Sequence, residues 1–228
     1  MLRLLHSSDV HVDNGYVPPA WAGDPLGGLR RVLRGARAEA ADAVLLAGAT
    51  FAHNRLAAHV VAAAAELIAE SGVPVVVLPG NHDPAMPGSV FHRFDLPANF
   101  HVLGVNRPET LVLPELDLEM RGRAHRDYLD MYPLPDPAPR TARHLVIIAH
   151  GHHVPRIGAE RWQPSWLFTD DALPALGADY IALGHWNRHV AVGPAGVLAV
   201  YSGSPDHEGT ANLVELGGRA RMRRVALE

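Results

Sequence analysis

The sequence contains no cysteine and no lysine. Without cysteine there is no disulfide and no thiolate metal ligand, so a bound metal needs nitrogen and oxygen donors, which suit Mn, Fe, Zn or Mg. Because lysine is absent, all 20 basic residues are arginine. The arginine fork matches phosphate geometry, but an alanine-rich and lysine-free composition also follows from genome base composition, so this bias alone assigns no function.

Long hydrophobic runs are absent as well. No run approaches the roughly 20 apolar residues of a membrane-spanning helix, and the chain begins without the pattern of a signal peptide. We therefore expect a cytoplasmic protein with no membrane contact. Its 228 residues, 48% of them hydrophobic and 19% charged, predict a single folded domain over 1–228. The net charge of −4 disfavours a protein that coats long nucleic acid.

Apolar runs alternate with helical periodicity in the first part of the chain, which predicts β-α-β units and an α/β fold. Two helices are predicted, at 29–41 and 55–70, the second with Asn54 as its N-cap and Gly72 beyond its end. Buried strands are predicted at 2–7, 43–48, 74–78, 144–149 and 179–183.

Two regions are less regular. The segment 84–143 is proline-rich and weakly periodic, with short strand candidates at 101–105 and 116–120, and it suits a lid or a partner contact. Three alternating stretches at 197–201, 212–216 and 220–227 predict a closing antiparallel meander that turns through Gly217 and Gly218.

Residues that bind metals or move protons follow the predicted strands. In α/β sheets ligands bind outside the carboxyl ends of strands, so side chains distant in sequence converge there. The chain has 15 histidines, and several of them lie at these ends. The five strand ends carry, in order, Asp9 and His11, then Gly48, then Gly80-Asn81-His82-Asp83, then His150, and finally His185.

This order of motifs resembles the five-part signature of the calcineurin-like metallophosphoesterases, and the resemblance covers nearly the whole chain. Within that superfamily the chain is most similar to the DNA-repair exonuclease branch, which includes the SbcD nuclease subunit. That similarity rests on Leu-Ala-Gly before Thr50-Phe51, on the stretch 180–186 and on Tyr-Ser-Gly-Ser-Pro at 201–205. The resemblance implies a four-layer α/β/β/α sandwich in which two mixed sheets pack face to face with helices outside.

The resemblance also implies a two-metal hydrolytic site. Two ions would share a water, lower its pKa and hold the phosphate for in-line attack. The implied ligands are Asp9 and His11 for the first ion, and Asn81, His150 and His185 for the second.

The catalytic roles implied by the resemblance fall on one motif. His82 would lie near the phosphoryl group as an acid or charge stabiliser, and Asp83 would orient it. His152 and His153 are also close in sequence, and we interpret them as supporting or solvated residues rather than ligands.

The chain departs from the family pattern at three positions. The family has an aspartate that bridges the two metals where this chain has Ala49. Ala52 replaces an aspartate that is frequent in the branch, and Asn187 replaces the last histidine of the signature. Two divalent ions about 3.5 Å apart at an effective dielectric near 20 repel by roughly 19 kcal/mol, which bridging anions offset. We therefore expect one bound ion rather than two.

The second-ion ligands survive as a complete set, whereas the first-ion set is reduced. Asp9 and His11 remain, with Asn187 as a weak further donor. His189, two residues beyond Asn187, or His53 would be the replacements for the missing donors.

The expected function is that of a metal-dependent phosphoesterase, most simply a phosphodiesterase acting on a nucleotide or another small phosphodiester. Long nucleic acid is not an expected substrate, because the chain ends at Glu228 without the DNA-capping and docking segments of the exonuclease branch. The alternative is a catalytically inactive protein that keeps the fold and binds a phosphate ligand or regulates a partner. The three departures fit a natural single-metal enzyme, a natural non-catalytic descendant or an engineered inactive variant, and their coincidence favours a natural origin.

Overall fold

The computed structural model describes residues 1–13, 23–156 and 165–228. Two six-stranded sheets dominate these residues, and a two-stranded sheet lies beside them. The strands are β1 (Leu2–Ser7), β2 (Ala43–Ala47), β3 (Val75–Leu78), β4 (Phe100–Val102), β5 (Thr110–Leu113), β6 (Leu118–Gly122), β7 (His144–His150), β8 (His152–Val154), β9 (Leu167–Thr169), β10 (Tyr180–Gly184), β11 (Val190–Val192), β12 (Ala199–Tyr201), β13 (Thr210–Leu216) and β14 (Arg221–Ala226). The helices are α1 (Gly27–Ala38), α2 (Ala58–Glu70), α3 (Ala172–Ala175) and α4 (Pro205–Glu208), with 3₁₀ turns at Val90–His92 and Pro114–Leu116.

The first sheet has the order β14-β13-β1-β2-β3-β4. Strands β1 to β4 run parallel. Strand β13 pairs antiparallel with β1, and β14 pairs antiparallel with β13. Strands β2 and β3 are apolar throughout and buried on both faces, as expected for parallel strands covered on each side. Helices α1 and α2 cover one face of this sheet, where Leu29 and Ile68 pack in the same core as Leu46.

The second sheet has the order β11-β12-β10-β7-β6-β5. Its central strands β6, β7, β10 and β12 run parallel, and β5 and β11 close its edges antiparallel. A shared core that includes Leu45, Val76, Val146 and Ala182 fills the space between the two sheets. The outer face of the second sheet packs against α3 and β9, through Leu173 and Phe168 among others. The α/β sandwich fold class is therefore confirmed.

Two details of the sequence-based prediction were wrong. Helix α2 begins at Ala58, and Ala57 rather than Asn54 occupies its N-cap. The amide of Asn54 instead stabilises the loop after β3, because it donates to the carbonyl of Pro84 at 3.1 Å and accepts from the N–H of Val90 at 2.9 Å. Because the amide nitrogen and the amide oxygen both form hydrogen bonds to the loop after β3, the Asn54 side chain cannot also cap a helix.

The predicted closing meander is divided between the two sheets. Strand β12 pairs parallel with β10 in the second sheet, whereas β13 and β14 form an antiparallel pair at the edge of the first sheet. Alternation along one strand does not encode its partner, so three neighbouring strands of similar pattern were assigned to one unit. The two strand candidates of the irregular segment correspond to β4 and to β6, which starts two residues later than predicted because Pro114–Leu116 is a 3₁₀ turn.

Candidate metal centre

The carboxyl ends of β1, β2, β3, β7 and β10 meet at one edge of the sandwich. The carboxylate of Asp9 accepts the backbone N–H of His185 at 2.9 Å, although 176 positions separate the two residues. The imidazole of His150 reaches from the second sheet to the carbonyl of Ala47 at the end of β2, at 2.8 Å. It also reaches the side chain of Asn81 at 2.7 Å. The structure thus brings Asp9, Asn81, His150 and His185 together.

Glycines make room for the His150 imidazole between the sheets. A Cβ atom on Gly48 would lie 2.1 Å from the His150 Nδ1 atom, and one on Gly184 would lie 1.8 Å from the carbonyl oxygen of Ala47. A Cβ on Gly80 would lie 2.5 Å from the backbone nitrogen of Ala49. Because no larger residue fits at these strand ends, the three glycines are steric requirements of the site.

The contacts of His150 leave a lone pair directed at an acceptor. A carbonyl oxygen only accepts, so Nδ1 must donate its proton to Ala47. Burial, with His185 and His125 nearby, holds the pKa of His150 well below its usual value, and the ring is neutral. Its Nε2 atom therefore carries a lone pair, and that lone pair faces the Asn81 Oδ1 atom.

This arrangement fits a metal ion. A cation beside the two atoms turns an unfavourable pair of acceptors into a pair of ligands. Without a cation, the contact is relieved by a rotated amide or by a doubly protonated ring, and burial opposes the second. A metal-bound histidine is usually oriented by a hydrogen bond from its other ring nitrogen to a backbone carbonyl or a carboxylate, as His150 is by its bond to Ala47. The His185 ring lies with its centroid 5.4 Å from that of His150. Asn81, His150 and His185 are therefore a donor set suited to one transition-metal ion.

Asp9 and His11 lie in the loop after β1. Both residues have left-handed backbones, with φ of 52° and 49°, and the loop is bonded to the one after β2 through the Asp9 N–H to Gly48 and the His11 N–H to Ala49. The Nε2 atom of His11 is 3.9 Å from the Asp9 Oδ1 atom. Burial raises the pKa of Asp9 to about 7 and lowers that of His11 to about 4. Such a buried carboxyl gains most from a nearby cation.

His82 and Asp83 follow Asn81 but occupy different environments. His82 is exposed, with its ring centroid 4.6 Å from that of His11 and its Nδ1 atom 3.3 Å from the carbonyl oxygen of Ala52. Asp83 is fully buried, and its two carboxylate oxygens accept the N–H groups of Gly80 and Phe51 at 2.8 and 2.9 Å. Asp83 thus ties together the loops after β2 and β3. Its orientation of His82 and the catalytic role of His82 both stay predictions.

The positions at which the chain departs from the family pattern do not recover a complete first-ion site. Ala49 is fully buried, and Asn187 is exposed. Exposed His53 accepts the N–H of Arg55 through Nδ1, and His189 bonds to Asn212. Within 1–13, 23–156 and 165–228, no three His, Cys, Asp or Glu side chains are grouped to hold an ion. That His53 or His189 replaces a missing first-ion donor stays a prediction.

His152 and His153 have supporting contacts. The Nδ1 atom of His152 accepts from the indole N–H of Trp186 at 3.2 Å, and its ring centroid is 6.0 Å from that of His185. Trp186 in turn stacks on Tyr201 with a centroid distance of 4.4 Å. The His153 Nε2 atom is 2.7 Å from the Asp170 carboxylate, which directs this ring away from the ligands.

Two residues of the site were missed from the sequence. His125 is fully buried, and its Nε2 atom donates to the backbone carbonyl of His150 at 2.8 Å. The Trp166 ring lies between this histidine and His185, with centroid distances of 5.3 and 5.6 Å. The position of His125 three residues after the end of β6 was an available signal, whereas Trp166 lies in a loop that has no distinguishing pattern.

A family model for calcineurin-like phosphoesterases matches residues 2–188. The Bacillus subtilis (strain 168) protein named "Uncharacterized metallophosphoesterase YhaO" is 25% identical over 221 residues, which cover 89% of this chain and 53% of that protein. The chain therefore spans about half the length of this curated relative.

Solved structures share the fold at low sequence identity. The crystal structure of TT1561 of Thermus thermophilus has a TM-score of 0.60 at 13% identity and covers 100% of this chain and 99% of its own. A second crystal structure has a TM-score of 0.61 at 13% identity, with 99% of each chain covered. The match over residues 2–188 and the site at the strand ends establish that the chain belongs to the calcineurin-like phosphoesterase family, whose members hydrolyse phosphoesters with divalent metals.

Proposed function

We propose that this protein is a metal-dependent phosphodiesterase that acts on a nucleotide or another small phosphodiester and holds one divalent ion tightly. The observation that carries the proposal is the pair of acceptors formed by the His150 Nε2 atom and the Asn81 Oδ1 atom, 2.7 Å apart. Mn, Fe, Zn and Mg are the candidate ions, and the two imidazoles favour a transition metal among them.

The residues around this donor set have different proposed roles in hydrolysis. A bound ion would polarise a phosphoryl oxygen and lower the pKa of a water. His82 is exposed at the mouth of the site, and because its Nδ1 atom faces the Ala52 carbonyl, Nε2 is the ring nitrogen open to the substrate. Asp9 holds the loop of His185 in place through the backbone N–H. His125 holds the backbone of His150 in place by donating to its carbonyl.

Small esters are the proposed substrates because the charge of the chain does not favour a polyanion. With a net charge of −4, tight binding of duplex DNA at physiological salt is not expected. The structure also has no helix among its described residues that is long and apolar enough to cross a bilayer. A steeply salt-dependent, tight complex with duplex DNA would contradict this part of the proposal.

The test is metal content together with turnover. Protein purified without chelators and dialysed should contain one equivalent of a divalent metal by elemental analysis. It should hydrolyse bis(p-nitrophenyl) phosphate, and a chelator should abolish that activity. The matched control is His53→Ala, an exposed histidine outside the donor set, which should keep both metal and activity. Two equivalents in dialysed protein would overturn the single-ion proposal.

The second candidate function is that of an inactive phosphate-ligand-binding or partner-regulating protein. The observation in its favour is Ala49, fully buried at the position of the bridging carboxylate. This candidate expects tight retention of metal with no hydrolysis of any phosphomonoester or phosphodiester. The same pair of measurements therefore separates the two functions.

A further inference from the structure

Exposed apolar side chains are concentrated beside the metal centre. Five large hydrophobic residues are exposed in the described part of the chain. Two of them, Met1 and Val112, lie elsewhere. The other three are Tyr128, Leu129 and Tyr132, with 56%, 70% and 46% of their surface exposed. They belong to the stretch 126–132 that follows His125, which we name the apolar strap.

The strap is attached to the metal centre at both ends. At its start, His125 donates to the carbonyl of His150. At its end, Pro133 packs against Gly151, where an added Cβ would lie 2.6 Å from the Pro133 Cγ atom. One end of the strap is therefore held at His150, a proposed metal ligand, and the other end at Gly151, the next residue.

Two further contacts hold the middle of the strap. Trp166 donates its indole N–H to the carbonyl of Leu129 at 3.0 Å and its backbone N–H to the Asp130 carboxylate at 2.6 Å. The amide of Asn54 lies 3.5 Å from the Tyr128 hydroxyl. The strap is therefore held at its backbone by Trp166, and the Tyr128 ring is held at its hydroxyl by Asn54. The ring centroid of Trp166 lies 5.6 Å from that of His185, so this residue connects the strap to a proposed ligand.

Exposed aromatic side chains on a backbone that is held in place are suited to ligand binding. Exposed apolar side chains gain nothing from folding, and rings that are already ordered lose little entropy when a flat apolar group stacks on them. Three side chains are too few for a stable protein interface, which needs about 800 Å² from each partner. The patch is closer in size to one aromatic ring system.

The charges of the strap select the kind of ligand. Asp127 and Asp130 are the acidic residues of the strap, and Arg126 is already paired with Glu109 at 2.9 Å. A second phosphate would be repelled here, whereas an uncharged ring would not. We propose that the apolar strap is the subsite for the nucleobase of a nucleotide substrate whose phosphate lies at the metal centre. This inference rests on the proposed function, since it assigns the organic part of that substrate.

The experiment compares a nucleotide with the corresponding sugar phosphate, in which a hydroxyl group replaces the base. Adenosine 5′-monophosphate and ribose 5-phosphate are titrated into the Mn²⁺-loaded protein by calorimetry. The wild-type protein should bind the nucleotide at least about tenfold more tightly, the usual effect of one stacked base. Tyr128→Ala and Tyr132→Ala should each reduce that ratio about threefold or more, because each removes a stacking surface. The affinity for ribose 5-phosphate should not change.

Two control variants separate stacking from general effects. Tyr128→Phe keeps the ring and should keep the ratio. Val112→Ala removes an exposed apolar side chain on β5, away from the strap, and should also keep it. Circular dichroism verifies that every variant is folded before it is titrated.

Equal affinity for the two ligands in the wild-type protein would overturn the inference. An equal loss of both affinities in the strap variants would also overturn it. If Tyr128→Ala instead changes the sedimentation coefficient and leaves the ratio intact, the strap is an interface between copies of the chain and the inference is wrong. A tenfold preference without hydrolysis of any ester would refute the proposed function and leave the base subsite standing.

Discussion

The Nε2 atom of His150 lies 2.7 Å from the Oδ1 atom of Asn81, and the opposite ring nitrogen donates to the carbonyl of Ala47. Both atoms of the short contact are acceptors, so the protein alone does not stabilise it in this orientation. We expect that the contact is stabilised by an ion, and the loss of either imidazole should remove the ion.

The first prediction is that His150→Ala and His185→Ala each retain no metal after dialysis, because each variant keeps only two of three donors. Elemental analysis by mass spectrometry measures this directly. His153→Ala is the matched control, since His153 is also buried and at a strand but is paired with Asp170. Metal at the wild-type level in both ligand variants would place the site elsewhere.

The second prediction concerns the glycine at the end of β10. A Cβ on Gly184 would lie 1.8 Å from the Ala47 carbonyl oxygen and 2.9 Å from the His150 Nδ1 atom. Because the first of these is a backbone atom that cannot turn aside, Gly184→Ala should lower the free energy of unfolding by about 3 kcal/mol or more. The variant should also lose metal. Urea denaturation of the metal-free protein separates the two effects.

Gly218→Ala provides the matched control for that prediction. No atom lies within 4 Å of the position that its Cβ would take. The change in the free energy of unfolding should therefore stay within about 0.5 kcal/mol. Gly→Ala by itself restricts the unfolded chain and favours folding, so a comparable loss in both variants would mean that the clash with Ala47 is not the cause.

The third prediction is a dependence of stability on pH that originates at His6. This residue is fully buried between the sheets, and its Nδ1 atom lies 2.8 Å from the hydroxyl of Tyr180. Burial lowers its pKa to about 3, and His189 adds to that effect. The unfolded chain takes up a proton near the ordinary pKa of about 6.5, whereas the folded protein does not. The contribution of His6 to the free energy of unfolding is therefore complete above that pH and is lost as the pH decreases.

The size of the effect follows from the shift in pKa. Between pH 6.5 and pH 5, protonation of His6 in the unfolded chain should lower the free energy of unfolding by about 2 kcal/mol, at about 1.4 kcal/mol for each unit of pH. Urea denaturation of the wild-type protein and of His6→Asn at pH 7.5 and at pH 5 measures it. The variant, which does not titrate at this position, should lose about 2 kcal/mol less over this interval. Identical pH dependence of the two proteins would contradict the assignment.

The sequence allowed the convergence of the site to be predicted, because it follows from a general property of parallel sheets. The runs that became β1, β2, β3, β7 and β10 are apolar enough to be recognised without a partner, and all of them except β2 end at or just before a proposed ligand. Once these strands are parallel, Asp9, His150 and His185 must lie at one edge.

Features that depend on pairing or on irregular chain could not be predicted in this way. Asn54 looked like a helix cap, but its partners Pro84 and Val90 are about 30 or more residues away, and local pattern does not report them. Strand β6 carries Glu119 and Arg121, which are buried as an ion pair at 2.6 Å, so the strand lacks a clear apolar run. Without that strand, His125 after its end had no visible context.

The last prediction is that Ala49→Asp combined with Asn187→His raises the metal content to two ions and increases phosphodiesterase activity by orders of magnitude. A carboxylate at position 49 would supply the bridging anion that offsets the repulsion between two ions. An imidazole at position 187 would add a donor beside Asp9 and His11. Both changes should be tolerated. Ala49 has a φ of 47°, a left-handed conformation that aspartate adopts more readily than most residues, and Asn187 is exposed.

The two substitutions should act non-additively, because a terminal ligand cannot replace a bridge. Ala49→Asp alone should recover part of the metal and activity, and Asn187→His alone should recover little. Metal content and the kcat for bis(p-nitrophenyl) phosphate are measured for the parent, both single variants and the double variant. Arg188→His, which places an imidazole at the adjacent exposed position, is the control for a nonspecific gain of metal. If the double variant binds two ions and hydrolyses no ester faster than the parent, then His82 is not positioned for catalysis, and the ligand-binding function is the correct one.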